Sequence, residues 1–158
     1  MQVPPCPPGC RESRFESTFT ATPEALFAFH ASDDALARLA PPYPPSRIVD
    51  RVGGLETGAR VVIELRPLPF IKLRWVAEHV DYEAGRGFAD HQVSGPFAFW
   101  RHYHLIESAP EGSRLVDIVH WRPRPAWLAP LVFPVVAGRL RALFAFRHAT
   151  TRAALEAP

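Results

Sequence analysis

Alternation of apolar and polar positions dominates the middle of the chain. In RVVIELR, Val61, Ile63 and Leu65 share one side, and beyond the prolines Pro67 and Pro69 the residues Ile71, Leu73, Trp75 and Ala77 continue it. Lys72, Arg74 and Glu78 point the other way, a period of two that predicts a hairpin with one buried and one wet face. Three more apolar-rich runs lie between Arg86 and Arg122, separated by Ser94-Gly95-Pro96 and by Ala109-Pro110-Glu111-Gly112. Their Phe, Trp, Tyr, Val and Ile favour strands and the separators form turns, so this stretch predicts an antiparallel meander.

The flanks complete the pattern. Arg14 to Thr20 alternates as a strand. Thr22 can cap a helix that Pro23 opens and Glu24 supports at its positive end, and this helix is expected to bury Leu26, Phe27 and His30. A second short helix is expected from Ser32 to about Leu39, stopped by APPYPP because proline cannot continue a helix. Ser46 to Val52 reads as a short strand ending at Gly53-Gly54. From Ala129 to Leu155 the period becomes helical, with Val132, Val136, Leu140, Leu143, Phe144 and Arg147 on one side and Arg139, Arg141 and Arg152 elsewhere. Pro134 is expected to delimit or kink its first turn. The whole is an α+β arrangement: a strand, two short helices, about six more strands and one long helix. An antiparallel sheet of this kind must bury its apolar face under that helix. The space between them is the natural ligand site.

Composition narrows the partners. At 158 residues, with 47% apolar and 22% charged residues, the chain suits one globular domain. Its formal charge is only +2, Lys72 is the sole lysine, and the arginines are scattered, which argues against a nucleic-acid partner. The longest apolar run, from Ala126 to Gly138, reads as too short and too proline-broken to span a bilayer, and no leader opens the chain. The expectation is a cytoplasmic protein without stable membrane insertion. Cys6 and Cys10 sit in the proline-rich VPPCPPGC. Two cysteines make neither a disulfide framework nor a zinc site. Residues 1–13 are expected to be a flexible tail and residues 14–158 a single ligand-binding domain.

The meander carries unusual polar content. A turn centred on Ser94-Gly95 opposes Gln92 to Phe97 and Asp90 to Phe99; one centred on Pro110-Glu111 opposes Tyr103 to Ile118 and His104 to Asp117. One face then holds Phe88, Asp90, Gln92, Phe99, Arg101, Tyr103, Val116, Ile118 and His120, and the other holds Trp100, His102, His104, Asp117, Val119 and Trp121. The first set has more apolar bulk and is assigned to the interior, although a one-residue slip or a bulge would exchange the two.

The order of elements resembles the helix-grip fold of the START and Bet v 1-like (SRPBCC) superfamily, which includes polyketide cyclases and lipid-transfer domains. TPEALFAFH followed by LARLAPPYPP resembles the opening of bacterial members, with Ala40 before Pro41 where a threonine is common. RWVAEHVDYEAGRGFADHQVSGPFAFWRHYHLIE, LVDIVHW and FAFRHATTRAAL extend the likeness from about Arg14 to Leu155. These segments look especially like ligand-binding domains associated with epimerase-like proteins. The resemblance implies a hydrophobic cavity for lipid-like, isoprenoid or polyketide-like molecules.

Three chemistries compete for the polar residues. A pocket whose few polar groups orient an apolar ligand would use Trp75, Phe88, Asp90, Gln92, Phe99, Arg101, Tyr103, Ile118 and His120, closed by Leu140, Leu143 and Phe144. A cyclase or dehydratase would need a proton donor and acceptor in that cavity, for which Asp90, Tyr103 and His120 are the candidates, with Arg101 beside them. The bland alternative there is an Asp90–Arg101 structural pair. A metal site could use His102, His104 and Asp117. Histidines alternating on a strand are more often surface or supporting residues, so no metal and no cofactor is the expectation. Trp127, Leu128, Leu131 and Phe133 could touch a lipid surface, with packing against the sheet end as the plainer account. The leading expectation is a carrier or sensor of a hydrophobic small molecule. Behind it stand a cyclase-like enzyme and an accessory module docking to an epimerase-like partner; any protein partner is unknown.

Overall fold

The computed structural model describes residues 1–125, 127 and 129–156. The elements follow the expected order: β1 (Arg11–Phe19), α1 (Pro23–Ala31), α2 (Ala35–Arg38), β2 (Ser46–Val52), β3 (Arg60–Leu68), β4 (Ile71–Glu83), β5 (Gly87–Ser94), β6 (Phe97–Ala109), β7 (Gly112–Pro123) and α3 (Ala129–Leu155). Seven strands form one antiparallel sheet in the order β1-β7-β6-β5-β4-β3-β2. The chain leaves β1 at one edge, crosses through α1 and α2 to the far edge, and meanders back until β7 pairs with β1. The curved sheet grips α3, which packs on β1 and β7 and meets α1.

Local chemistry accounts for the helix ends. Thr22 Oγ1 accepts the Ala25 N–H at 3.3 Å and Pro23 occupies the first helical turn of α1. Leu26, Phe29 and His30 are buried, while Phe27 is only partly so. The second helix is shorter than expected because Ser32 closes α1 instead of opening α2. Its N–H and its Oγ both donate to the Phe29 carbonyl, at 3.2 and 2.8 Å, and its Oγ also reaches Asp34 Oδ1 at 2.9 Å. Pro134 lies inside α3 near its start, where few intrahelical bonds are at stake.

The β3–β4 hairpin pairs as its alternation requires. Val61 opposes Ala77, Ile63 opposes Trp75 and Leu65 opposes Leu73; the reverse side, expected to be wet, exposes Lys72 and Arg74 but buries the opposed Val62 and Val76 and half-buries Glu78. On the α3 side of the sheet the core is Trp100, Val119, Trp121, Leu140 and Phe144, with Phe15, Trp75, Phe97, Phe133, Val136, Ala137 and Leu143 around it. Phe15 of β1 stacks on Phe144 of α3 at 4.4 Å and 11°. The reverse face has its own cluster, Ala89, Tyr103, Val116 and Ile118, and the segment before β1 lays Met1 and Val3 over it.

The 27-residue α3 carries the apolar run past Pro134, and its most apolar 18-residue window has a mean hydropathy of 1.5. By length and composition alone such a helix can cross a bilayer, although the run from Ala126 to Gly138 by itself cannot. In the fold it instead lays Leu140, Phe144, His148 and Thr151 against the protein. The outer side of its first turns is apolar and open: Leu131 and Val135 are 76% and 61% exposed, and Trp127, which precedes the helix, is 78% exposed. Phe133, grouped with them from sequence, packs edge-on against Trp121 at 5.4 Å with the Arg11 guanidinium over its ring. Leu128 lies outside the described residues.

Candidate functional site

The register of the meander decides which polar residues meet. Between β6 and β7 it is the expected one: Tyr103 opposes Ile118 and His104 opposes Asp117. Between β5 and β6 it differs. Asp90 opposes His102 and Phe88 opposes His104, so the pairing is displaced by three residues from the tight turn expected at Ser94-Gly95. Gln92 is the reason. Its side-chain Nε2 donates to the Phe97 carbonyl at 2.9 Å and its Oε1 accepts the Phe97 N–H at 3.2 Å, so a side chain supplies bonds that a ladder would otherwise make. The turn thereby opens into a wider loop, with a bulge between Phe97 and Phe99 where β6 meets β7.

An odd displacement exchanges faces. Phe88 and Asp90 join Trp100, His102, His104, Asp117, Val119 and Trp121 beneath α3, and this corrects the interior assignment of their expected companions. Tyr103 and Ile118 lie in the reverse-face cluster. Arg101 opposes His120 there, pairs with Asp81 and sits 5.5 Å from the Tyr103 ring. His120, buried, lies 3.0 Å from Glu12 Oε2. Phe99 opposes Arg122 beyond the bulge. The Asp90–Arg101 pair therefore does not form, because the two residues emerge on opposite faces. Trp75 meets Trp100 edge-on at 4.8 Å, and Leu140, Leu143 and Phe144 complete the apolar roof over the inner face.

Under that roof is a buried polar constellation. Asp117, 3% exposed, is its hub. Its Oδ1 lies 2.8 Å from His102 Nε2 and 2.9 Å from His104 Nδ1, and its Oδ2 lies 2.8 Å from His148 Nε2. A carboxylate only accepts, so His102 and His148 donate to it. His148 Nδ1 then accepts from the Ser17 hydroxyl at 2.8 Å. Asp90 lies on the opposite side of the two strand histidines. Its Oδ1 is 3.3 Å from His102 Nδ1 and 3.6 Å from His104 Nε2, and its Oδ2 accepts from Trp100 Nε1 at 3.3 Å. His30 reaches in from α1, its ring 6.3 Å from that of His104, and Nδ1 donates to the Leu26 carbonyl at 2.9 Å. Arg147 of α3 donates Nε to the Leu39 carbonyl at 3.3 Å and faces both carboxylates through space.

The electrostatics follow from burial against pairing. Burial works to raise Asp90 and Asp117, but the facing imidazoles outweigh it and hold both carboxyls well below the ordinary range. Burial works to lower His102, but Asp117 and Asp90 outweigh it and raise its pKa. His30 has only a carbonyl partner, and burial pushes it down to about 4. Sequence reasoning missed His30, His148 and Arg147 as members of this group. His148 had a signal: it stands four residues after Phe144 on the buried stripe of α3, where the next inward side chain belongs.

Beside the constellation, two clefts run along the seam between β1 and α3. One, of about 450 Å³, is walled by Trp121, Pro130, Phe133, Pro134 and Ala137, with Arg11, Glu12, Ser13 and Arg141 at its rim. The other, of about 350 Å³, lies between Phe15, Phe144 and His148 and shares Arg141.

No protein-family model matches the chain. A search of curated proteins found no match either. Solved structures do match in fold. Norcoclaurine synthase from Thalictrum flavum, in complex with dopamine and hydroxybenzaldehyde, is similar over 94% of this chain and 88% of its own, at 12% identity and a TM-score of 0.70. A nucleoside-diphosphate sugar epimerase from Corynebacterium glutamicum is similar over 91% of this chain but 29% of its own, at 24% identity and a TM-score of 0.72. Ara h 8.0201 is similar over 90% of this chain and 97% of its own, at 17% identity and a TM-score of 0.64. These likenesses show the fold alone: a curved seven-stranded antiparallel sheet gripping a long C-terminal helix, the helix-grip arrangement.

Proposed function

We propose that this protein binds a mostly apolar small molecule carrying one anionic or strongly accepting group, as a carrier or sensor, along the inner seam between β1 and α3. The observation that supports it is the cleft of about 450 Å³ whose wall is Trp121, Phe133 and proline rings and whose rim carries Arg11 and Arg141. Its size falls in the range of small-molecule sites, and an apolar wall with few polar anchors is their usual chemistry. Arginine at the rim selects an acceptor such as a carboxylate, because its planar fork matches two oxygens. Trp75, Trp100 and Leu143 belong to the same apolar cluster as Trp121 and Phe133, so the cleft wall is continuous with the core beneath α3.

Native mass spectrometry of the purified protein, with solvent extraction of anything retained, identifies the ligand directly. Titration with the aromatic sulfonate 1-anilinonaphthalene-8-sulfonate tests the site. Ala137→Trp fills the cleft from its wall and is expected to weaken the probe at least about tenfold, or ~1.4 kcal/mol. Equal binding by the wild type and Ala137→Trp overturns the location. Turnover of an extracted ligand would convert the carrier into an enzyme.

A further inference from the structure

His104 stands out within the constellation. Its ring stacks on Phe88 at 4.2 Å and lies 3.8 Å from the His102 ring, and its two nitrogens face Asp117 and Asp90. Yet its buried Nδ1, although 2.9 Å from Asp117 Oδ1, approaches off the line of a hydrogen bond and has no hydrogen-bond partner among the described residues. That orphan atom is not itself the ligand: with the proton on Nδ1 beside the Asp117 carboxylate, the Nε2 lone pair is left facing Asp90.

Counting protons shows what that lone pair calls for. His102 Nε2–H is spent on Asp117, so a neutral His102 turns a bare Nδ1 lone pair toward Asp90 Oδ1 at 3.3 Å. A proton on Nδ1 would settle His102, but His104 Nε2 faces the same oxygen at 3.6 Å, beyond hydrogen-bond range. A second proton there would put two imidazolium rings 3.8 Å apart in a buried site. One divalent cation replaces both protons and satisfies all three atoms. The spacing agrees: metal–ligand bonds of 2.0–2.1 Å in a tetrahedron place neighbouring donors about 3.3–3.4 Å apart. The Asp90 Oδ1 to imidazole distances, 3.3 Å to His102 Nδ1 and 3.6 Å to His104 Nε2, are close to that spacing.

We propose that Asp90 Oδ1, His102 Nδ1 and His104 Nε2 bind one borderline divalent first-row metal ion, of which Zn²⁺ is the representative. Two imidazoles and one carboxylate suit that class. The surroundings already have the form of a supporting shell. Asp117 accepts from the far nitrogen of His102, fixing the tautomer that presents Nδ1, and Trp100 Nε1 holds the second oxygen of Asp90. His148 and Ser17 anchor Asp117 in turn. The Asp90 and His104 side chains keep 16% and 12% of their surface accessible, which leaves a way in for the ion.

The test uses the full chain, stripped with chelator and reloaded with Zn²⁺ or Co²⁺. The wild type is expected to retain about one equivalent after desalting and to show the visible bands of four- or five-coordinate cobalt. Cys6 and Cys10 are free thiols elsewhere in the chain, so the Cys6→Ser/Cys10→Ser variant is expected to keep both the metal and the bands. Asp90→Asn and His104→Gln should each fall to about 0.1 equivalent or less, and Asp117→Asn should weaken affinity ~10–100-fold while leaving the coordination spectrum recognisable. Should a ligand variant fail to fold, paramagnetically shifted imidazole N–H resonances in the Co²⁺-loaded wild type still report two bound histidines. Retention below about 0.1 equivalent by the wild type overturns the proposal. So does metal lost with the cysteines, or metal kept by both Asp90→Asn and His104→Gln. The Ala137→Trp variant should bind metal normally, which separates this site from the seam cleft.

Discussion

His30 shows what a single buried residue does to the pH response. Its Nδ1–H is satisfied within its own helix, and nothing pairs the charged form closely enough to offset desolvation. The groups facing it are His104, Asp117 and Arg147; the Arg147 guanidinium opposes its protonation and the Asp117 carboxylate favours it. Its folded pKa of about 4 lies below the unfolded value of 6.5, so below pH 6.5 the unfolded chain takes up a proton that the folded one refuses. Stability is therefore fully present above 6.5, falls as pH drops toward 4, and levels off below that. The size is ~3 kcal/mol from a shift of roughly two and a half units at 1.36 kcal/mol each. Urea unfolding of the wild type and His30→Leu from pH 7 to 4 checks it: the variant's stability should fall less, by about that difference. Parallel curves would show that His30 is not buried as described. From sequence, His30 was visible as a candidate core residue on a short helix. Its neighbours were not, because they come from β6, β7 and α3.

At the scale of elements, the β5–β6 pair is the hinge of the whole site. Gly87, which starts β5, has φ +152°, and a Cβ there would collide with the His104 carbonyl oxygen across the ladder. The close approach lets Gly87 oppose Leu105 and sets the register that carries Asp90 opposite His102. Gly87→Ala is expected to cost about 2 kcal/mol or more, since the backbone cannot move aside without breaking the pairing. Chemical denaturation measures that cost. Loss of bound metal in still-folded Gly87→Ala would show that the register, rather than stability alone, assembles Asp90 with the histidines. A Gly87→Ala variant as stable as the wild type would contradict the close approach. The alternation that revealed β3, β4 and the β6–β7 pair was legible because it is a property of each strand. The β5–β6 register was not, because Gln92 bonds the turn through its side chain, an outcome no period of two encodes.

Across the molecule, a sheet with two buried faces needs two covers. One is α3; the other is the segment before β1, whose Met1 and Val3 lie on Tyr103, Val116 and Ile118. Removing residues 1–8 is expected to expose that cluster and lower stability by about 2 kcal/mol, from apolar area returned to water at roughly 25 cal/mol per Å². A thermal or urea melt decides it. An unchanged midpoint would mean that residues 1–8 behave as a dispensable tail, as their proline content suggests.

Local pattern was enough for the α+β order of elements, for which residues of β3 and β4 share a face, for the pairing of His104 with Asp117 and for the apolar stripe of α3. All of these follow from short-range periods and turn residues that each segment carries alone. Which face of the meander lies under α3 emerges from long-range packing, and with it that Asp90 joins His102, His104, Asp117 and His148 while Tyr103, Ile118 and His120 turn away. Apolar bulk misjudged that choice because both faces are buried. With α3 on one side and the N-terminal segment on the other, hydrophobicity favours neither face, and the hydrogen bonds of one glutamine and the space of one glycine settle it.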